Sequence, residues 1–195
     1  MYSVIIPTLL KSELIWKLLD DLNNCPEVGE ILVIDNSGRF KSDLEKVKRI
    51  EVPENIFVNP AWNLGVSLAQ FENICLCNDD VNFDCRVFSE IPDPEGVIGQ
   101  FTGNYYLSHE DTLEIEEIID RPSGWGCLMF LRREDYKPIP EFLKIACGDD
   151  YLLKSLPAFQ LKGLKIHTRM SSTSLLPEFY QIQENDIREF RCLQF

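Results

Sequence analysis

The run Ile74-Cys75-Leu76-Cys77-Asn78-Asp79-Asp80-Val81 joins an apolar segment of strand character to two adjacent carboxylates. In open α/β sheets, ligands gather at the carboxyl ends of strands. Two acids at such an end can hold a hard divalent cation, Mg²⁺ or Mn²⁺, and a cation can hold a diphosphate. The same residues can also make an ordinary turn, because Asp tolerates turn dihedrals and bonds its own backbone. A second acidic pair, Asp149-Asp150, opens a helix candidate, where the macrodipole favours acids in any case.

The elements that must position these acids follow from apolar periodicity. Val4-Ile5-Ile6 reads as a first buried strand, stopped by Pro7-Thr8. Ser12 precedes a helix with a stripe at Leu14, Ile15, Leu18, Leu19 and Leu22, ended by the turn Cys25-Pro26 to Gly29. Ile31-Leu32-Val33-Ile34 is a second continuous apolar strand, closed by Asp35-Asn36-Ser37-Gly38. Such strands separated by a helix predict a parallel sheet covered on both faces. Asp43 to Lys48 reads as a weak short helix, and Arg49 to Val52 with Ile56 to Val58 as a short strand and a connector. Pro60 opens a helix to about Gln70, and the acid-ended strand at 73–77 follows. Residues 1–80 thus form a nucleotide-binding type of half-domain. Residues 81–195 change character, with short strand-like runs near 97–101, 104–107, 112–119 and 127–131 and a short strand at Leu164-Lys165-Ile166. Helices are expected at Asp149 to Leu156 and at Pro177 to Cys192, within one domain of 1–195. The strand ends at Thr8, Asp35 and Asn78, with Gly124-Trp125-Gly126 before the strand at 127–131, are expected to share one edge and form a ligand crevice.

Composition excludes several partners. The chain carries 32 acidic against 19 basic residues, a net charge of −13, with no long basic block. Nucleic acids and anionic membrane surfaces both need a basic face, so neither is expected. No apolar run reaches membrane-spanning length, so no membrane insertion is expected. The odd set of seven cysteines, several inside strand-like runs, reads as reduced thiols of a cytoplasmic, reducing compartment.

In this order, the motifs resemble GT-A nucleotide-diphosphosugar glycosyltransferases, especially family-2-like ones. Val4 to Thr8, Ile31 to Ser37 and Asn63-Leu64-Gly65 look like the start of that family, and Asn78-Asp79-Asp80 falls at its Asp-x-Asp metal motif. Gly124 to Cys127 resembles the segment near the donor sugar, Gly148 to Leu152 the motif that supplies a catalytic base, and His167 to Ser172 the segment near the diphosphate. The small size is also similar to that of compact transferases of some large algal viruses. The resemblance spans roughly residues 3–173. It implies an α/β fold with a single GT-A (Rossmann-like) domain, whose mostly parallel mixed sheet is flanked by helices. It implies a metal-dependent transfer from a UDP-sugar donor to a hydroxyl of a glycan or glycoprotein acceptor, with Mn²⁺ or Mg²⁺.

The roles implied are a general base at Asp150, or else Asp149; metal ligation by Asp80, Asp79 and His167; and donor contacts at Pro7, Thr8, Asp35, Asn63, Asn78, Asp79, Trp125 and Arg169. Asp35 would accept the imide N–H of uracil, or else simply close a turn. Trp125 would form an apolar wall under the sugar, or else lie in the core. His167 and Arg169 have structural readings as well. One departure is Asn78, which offers a carbonyl oxygen where the family has a charged acid. A base-like Asp150 favours inversion, with a retaining enzyme and a non-catalytic nucleotide-sugar-binding domain as alternatives. A sugar-phosphate nucleotidyltransferase would need a glycine-rich basic loop after the first strand, and Pro7-Thr8-Leu9-Leu10-Lys11 has no glycine.

Overall fold

The computed structural model describes residues 1–100, 113–168, 173–174 and 176–195. The first half runs β1 (Tyr2–Thr8), α1 (Leu14–Asn23), β2 (Val28–Asp35), β3 (Val47–Glu51), α2 (Val58–Leu68) and β4 (Asn73–Cys77). The second half adds β5 (Val81–Phe83), α3 (Val87–Glu90), β6 (Val97–Gln100), β7 (Glu114–Glu117), β8 (Leu128–Arg132), α4 (Gly148–Ser155), β9 (Ala158–Lys162), β10 (Ile166–Thr168) and α5 (Tyr180–Phe190). The sequence-predicted strand at 104–107 lies outside the described residues.

Eight strands form one mixed sheet in the order β3-β2-β1-β4-β8-β6-β9-β7. Ladders β3-β2, β2-β1 and β1-β4 are parallel, β4-β8 and β8-β6 antiparallel, β6-β9 parallel and β9-β7 antiparallel. The buried strands β1, β2 and β4 alternate their side chains between two cores, as the period of two requires. Val4 and Ile6 pack with Ile15, Leu18, Leu19 and Leu22 of α1 on one face. Ile5, Leu32 and Leu76 pack with Ala61, Trp62 and Val66 of α2 and Leu152 of α4 on the other. A Cβ added at Gly65 would run into the Ile5 side chain, so the glycine lets α2 lie close on β1.

Two expectations about elements are corrected. Asp43 to Lys48 forms no helix; Val47 to Glu51 instead pairs in parallel with Ile31 to Asp35. With only Leu44 and Val47 apolar, the segment has no stripe to hold a helix, and strand pairing satisfies backbone groups along the edge of β2. β9 and β5 carry no signal in the sequence, because each is short and its pairing partner lies far along the chain. The strand foreseen at 164–166 begins only at Ile166, where it pairs with Phe83.

Candidate active site

A cleft of about 380 Å³ opens at the carboxyl ends of β1 and β4. β1 contributes Pro7 and Thr8, and the end of β4 contributes Asn78, Asp79 and Asp80. Antiparallel pairing brings in a third segment. Cys77 sits opposite Leu128, so the turn that precedes β8 lands beside Asn78, and the Asn78 amide donates to the Cys127 carbonyl at 3.0 Å. Gly124 and Gly126 of that turn line the cleft, as does Asp149 in the first turn of α4.

Asp79 and Asp80 form an acidic pair at the end of β4. The Thr8 hydroxyl donates to Asp79 Oδ2 at 2.6 Å and itself accepts from the Leu10 amide at 2.8 Å. Burial pushes the Asp79 carboxyl up to about 6; the Asp80 charge adds to this, and the Thr8 hydrogen bond opposes it. Crowded carboxylates of this kind are relieved by a cation. The donor set fits Mg²⁺ or Mn²⁺, hard ions that take carboxylate, carbonyl, phosphate and water oxygens. Among the described residues no group of three His, Cys, Asp or Glu side chains could hold a metal unaided. Asp79, Asp80 and the Asn78 carbonyl therefore suit an ion that a diphosphate and water help to hold.

Asp149 and Arg121 line the cleft as well. Arg121 is the one cationic side chain among the described residues lining the cleft. It meets Asp149 Oδ2 at 3.1 Å and donates from Nε to Asp150 Oδ1 at 2.7 Å. Burial raises the Asp149 pKa above the ordinary carboxylate range, against the pull of Arg121. A Cβ added at Gly126 would run into the Asp149 carboxylate, so the glycine admits that side chain to the cleft. Asp150 turns to Arg121 and is not among the residues that line the cleft.

No protein-family profile matches the chain, and no curated protein matches it in sequence. Solved structures do match. S. aureus TarS 1-349 superposes with a TM-score of 0.63 at 15% identity, over 100% of this chain and 66% of that one. The same TarS fragment in complex with UDP-GlcNAc gives 0.63 at 17% identity, over 100% and 67%. GalNAc-T7 with UDP, GalNAc and Mn²⁺ gives 0.66 at 11% identity, over 97% of this chain and 47% of that one. The chain has a GT-A fold. It spans about two thirds of the TarS fragment and about half of the GalNAc-T7 chain.

On this GT-A scaffold, four residues expected at the donor or metal site lie elsewhere. Asp35 is fully buried and turned into its own loop. Its Oδ1 accepts from the Ser37 amide and hydroxyl, and its Oδ2 from the Phe40 amide and Arg49 Nε, all between 2.6 and 3.0 Å. With both oxygens filled, it has no lone pair left for a base edge. Asn63 is likewise committed, accepting from the Tyr136 hydroxyl and the Ile139 amide and donating to the Ile139 carbonyl. Trp125 is fully buried under Gly99, its indole N–H donating to the Phe159 carbonyl at 2.8 Å, so the glycines on either side line the cleft while the ring does not. His167 is exposed on the β5/β10 ribbon opposite Asn82, away from the residues lining the cleft. Arg169 lies outside the described residues.

Asp35 carries a stability prediction. Burial pushes its carboxyl up, but the hydrogen bonds from Ser37, Arg49 and Phe40 outweigh that and hold it below the ordinary range. Its stabilisation is thus present above the unfolded value of about 3.9 and is lost as pH falls through the lower folded value. Asp35→Ala leaves Arg49, the buried Phe40 amide and the half-buried Ser37 amide without their acceptor. It is expected to cost about 3 kcal/mol, read as a lower urea midpoint at neutral pH.

The GT-A cleft also holds residues that the sequence did not point to. Phe57 lines it at φ 67° and ψ 178°, a conformation almost reserved for glycine, and meets Phe179 edge-on at 6.3 Å. Leu10 and Cys147 also have positive φ, and both sit in loops next to the cleft. Asn36 links the end of β2 to the Phe57 loop by accepting from the Ile56 amide at 2.9 Å. Arg121 had one available signal: it is a basic residue in a very acidic chain, shortly before the Gly124 turn.

Proposed function

We propose that the protein is a metal-dependent glycosyltransferase that moves a sugar from a UDP-sugar to a hydroxyl acceptor, with inversion. One observation carries the reading: a single GT-A cleft is lined both by the crowded pair Asp79 and Asp80 and by Asp149, braced by Arg121. The UDP and UDP-GlcNAc bound to TarS, and the UDP, GalNAc and Mn²⁺ bound to GalNAc-T7, support the donor class and the metal.

Asp79 and Asp80, together with a diphosphate, would hold a divalent cation, which would supply Lewis-acid neutralisation of the leaving group. Thr8 fixes the direction of the Asp79 carboxylate through its hydroxyl. Pro7, Asn36, Asn55 and Phe57 border the nucleoside side of the cleft. Asp149 is the general base. It takes the acceptor hydroxyl proton as the new glycosidic C–O bond forms and the bond to the diphosphate oxygen breaks. Arg121 favours the ionised form of Asp149, and thus readies it to accept that proton. Asp150, first in motif order, anchors Arg121 in this scheme. The acceptor is a glycan or glycoprotein hydroxyl.

A nucleotide-sugar-binding domain without turnover is the second reading, favoured by Asn78 in place of an acid. Calorimetric titration of UDP and GDP with and without Mn²⁺, joined to a UDP-sugar hydrolysis assay, separates the two. The transferase reading expects Mn²⁺-dependent, UDP-preferring binding with slow hydrolysis. Metal-independent binding refutes the metal assignment, equal GDP binding refutes the UDP assignment, and binding without turnover favours the binding domain.

A further inference from the structure

α5 inverts the usual logic of a surface helix. Such a helix buries an apolar stripe and exposes its charges. Here Asp186 is the buried residue of the helix, 1% exposed, while Tyr180 and Ile187 face solvent. A carboxylate is costly to bury unless hydrogen bonds compensate it. Asp186 Oδ2 has that compensation, accepting from the backbone amides of Lys144, Ile145 and Ala146 at 3.1, 2.7 and 2.9 Å. Three successive amides aimed at one oxygen require a curled backbone, an anion nest whose occupant is this protein's own side chain.

The same loop is held from its other side. The Asn59 amide donates to the Lys144 carbonyl, and Asn59 Nδ2 donates to the Ala146 carbonyl, both at 3.1 Å. Beyond Ala146 the chain passes through Cys147 at φ 62° and enters α4, so Asp149 lies three residues from the clamp with one strained dihedral between. A Cβ on Gly148 would run into Asn59, so α4 starts in close contact with α2. A shift of the 144–146 loop would therefore move Asp149, which is already tight against Gly126.

We infer that Asp186 is a positioning residue: it holds the 144–146 loop and thereby aims Asp149 into the cleft. The inference rests on the role of Asp149 proposed above. It means that the catalytic loop is set by a helix some forty residues later in the chain.

Comparing wild type, Asp186→Ala and Asp186→Asn with one UDP-sugar and Mn²⁺ tests it. Asp186→Ala is expected to lower kcat about 100-fold, the cost of misplacing a reacting group by about 1 Å. UDP affinity and donor KM are expected to stay within about threefold. Asp186→Asn keeps an acceptor oxygen and is expected to recover kcat to within about tenfold of wild type. Amide hydrogen exchange is expected to quicken at 144–149 in Asp186→Ala and to stay unchanged in β1 and β2. Unchanged kcat in Asp186→Ala, a loss of UDP affinity equal to the loss of kcat, or unchanged exchange at 144–149 each overturns the inference. If Asp186→Ala does not fold, amide exchange in the wild type decides: Lys144, Ile145 and Ala146 amides that exchange as fast as exposed loop amides refute the clamp, and their protection supports it. If wild type transfers no sugar, the proposed function fails, and exchange alone then judges the clamp.

Discussion

Asp149→Asn should lower the rate of sugar transfer about 10²–10⁴-fold while UDP binding stays near the wild-type value. The amide keeps the size of the side chain and its place beside Gly126 and Arg121, but cannot take a proton. Asp150→Asn should have a smaller effect, because Asp150 meets Arg121 and does not line the cleft. The pH dependence carries a sign. A base must be ionised, and burial raises the Asp149 pKa, so the acidic limb of kcat/KM should lie above the ordinary aspartate range. Arg121 opposes that shift, so Arg121→Gln should move the limb to still higher pH. Rates measured from pH 5 to 9 with saturating donor and limiting acceptor would check both. If Asp150→Asn proves the more damaging variant, the base is Asp150 and Arg121 must move away during turnover.

Asp80→Ala should abolish the Mn²⁺ dependence of UDP binding, the second large effect. Asp79 and Asp80 are the adjacent acids at the end of β4, and the protein offers a hard cation little else among the described residues. Losing one of two carboxylates should weaken ion binding at least about 100-fold, since each charged oxygen ligand counts heavily for Mg²⁺ and Mn²⁺. Calorimetry should show weak UDP binding that added Mn²⁺ does not improve. The converse variant, Asn78→Asp, supplies the charge that this position lacks and should tighten Mn²⁺ binding in the presence of UDP. Tight, Mn²⁺-dependent binding by Asp80→Ala would place the ion elsewhere.

Much of the scaffold could be read from local patterns. The continuous apolar runs at 4–6, 31–34 and 74–77 could only be strands covered on both faces, and the stripe from Ile15 to Leu22 could only be the helix that covers one of them. From there the carboxyl ends of β1 and β4 had to meet, and Thr8 does bond Asp79 across that edge. The Gly124 turn reached the same edge for a reason that the pattern did not hold. β8 runs antiparallel to β4, so its start, not its end, lies beside Asn78.

The sequence by itself determined which polar groups reach the strand ends, because chain direction and the period of two fix that locally. Only the tertiary structure decided which way each group points. Asp35 could face the cleft or its own turn until Arg49, on the neighbouring β3, drew it inward. Trp125 could floor the cleft until Phe159 accepted its N–H from the far side. Of Asp149 and Asp150, neighbours in sequence, the first lines the cleft because Gly126 leaves room for it and the second turns to Arg121. Nothing in the sequence marks Asp186, and only the fold brings three amides from another loop to it. In each case the deciding partner lies far along the chain or belongs to another element. A side chain's direction follows the hydrogen bonds it can complete, and those partners exist only once the chain has folded.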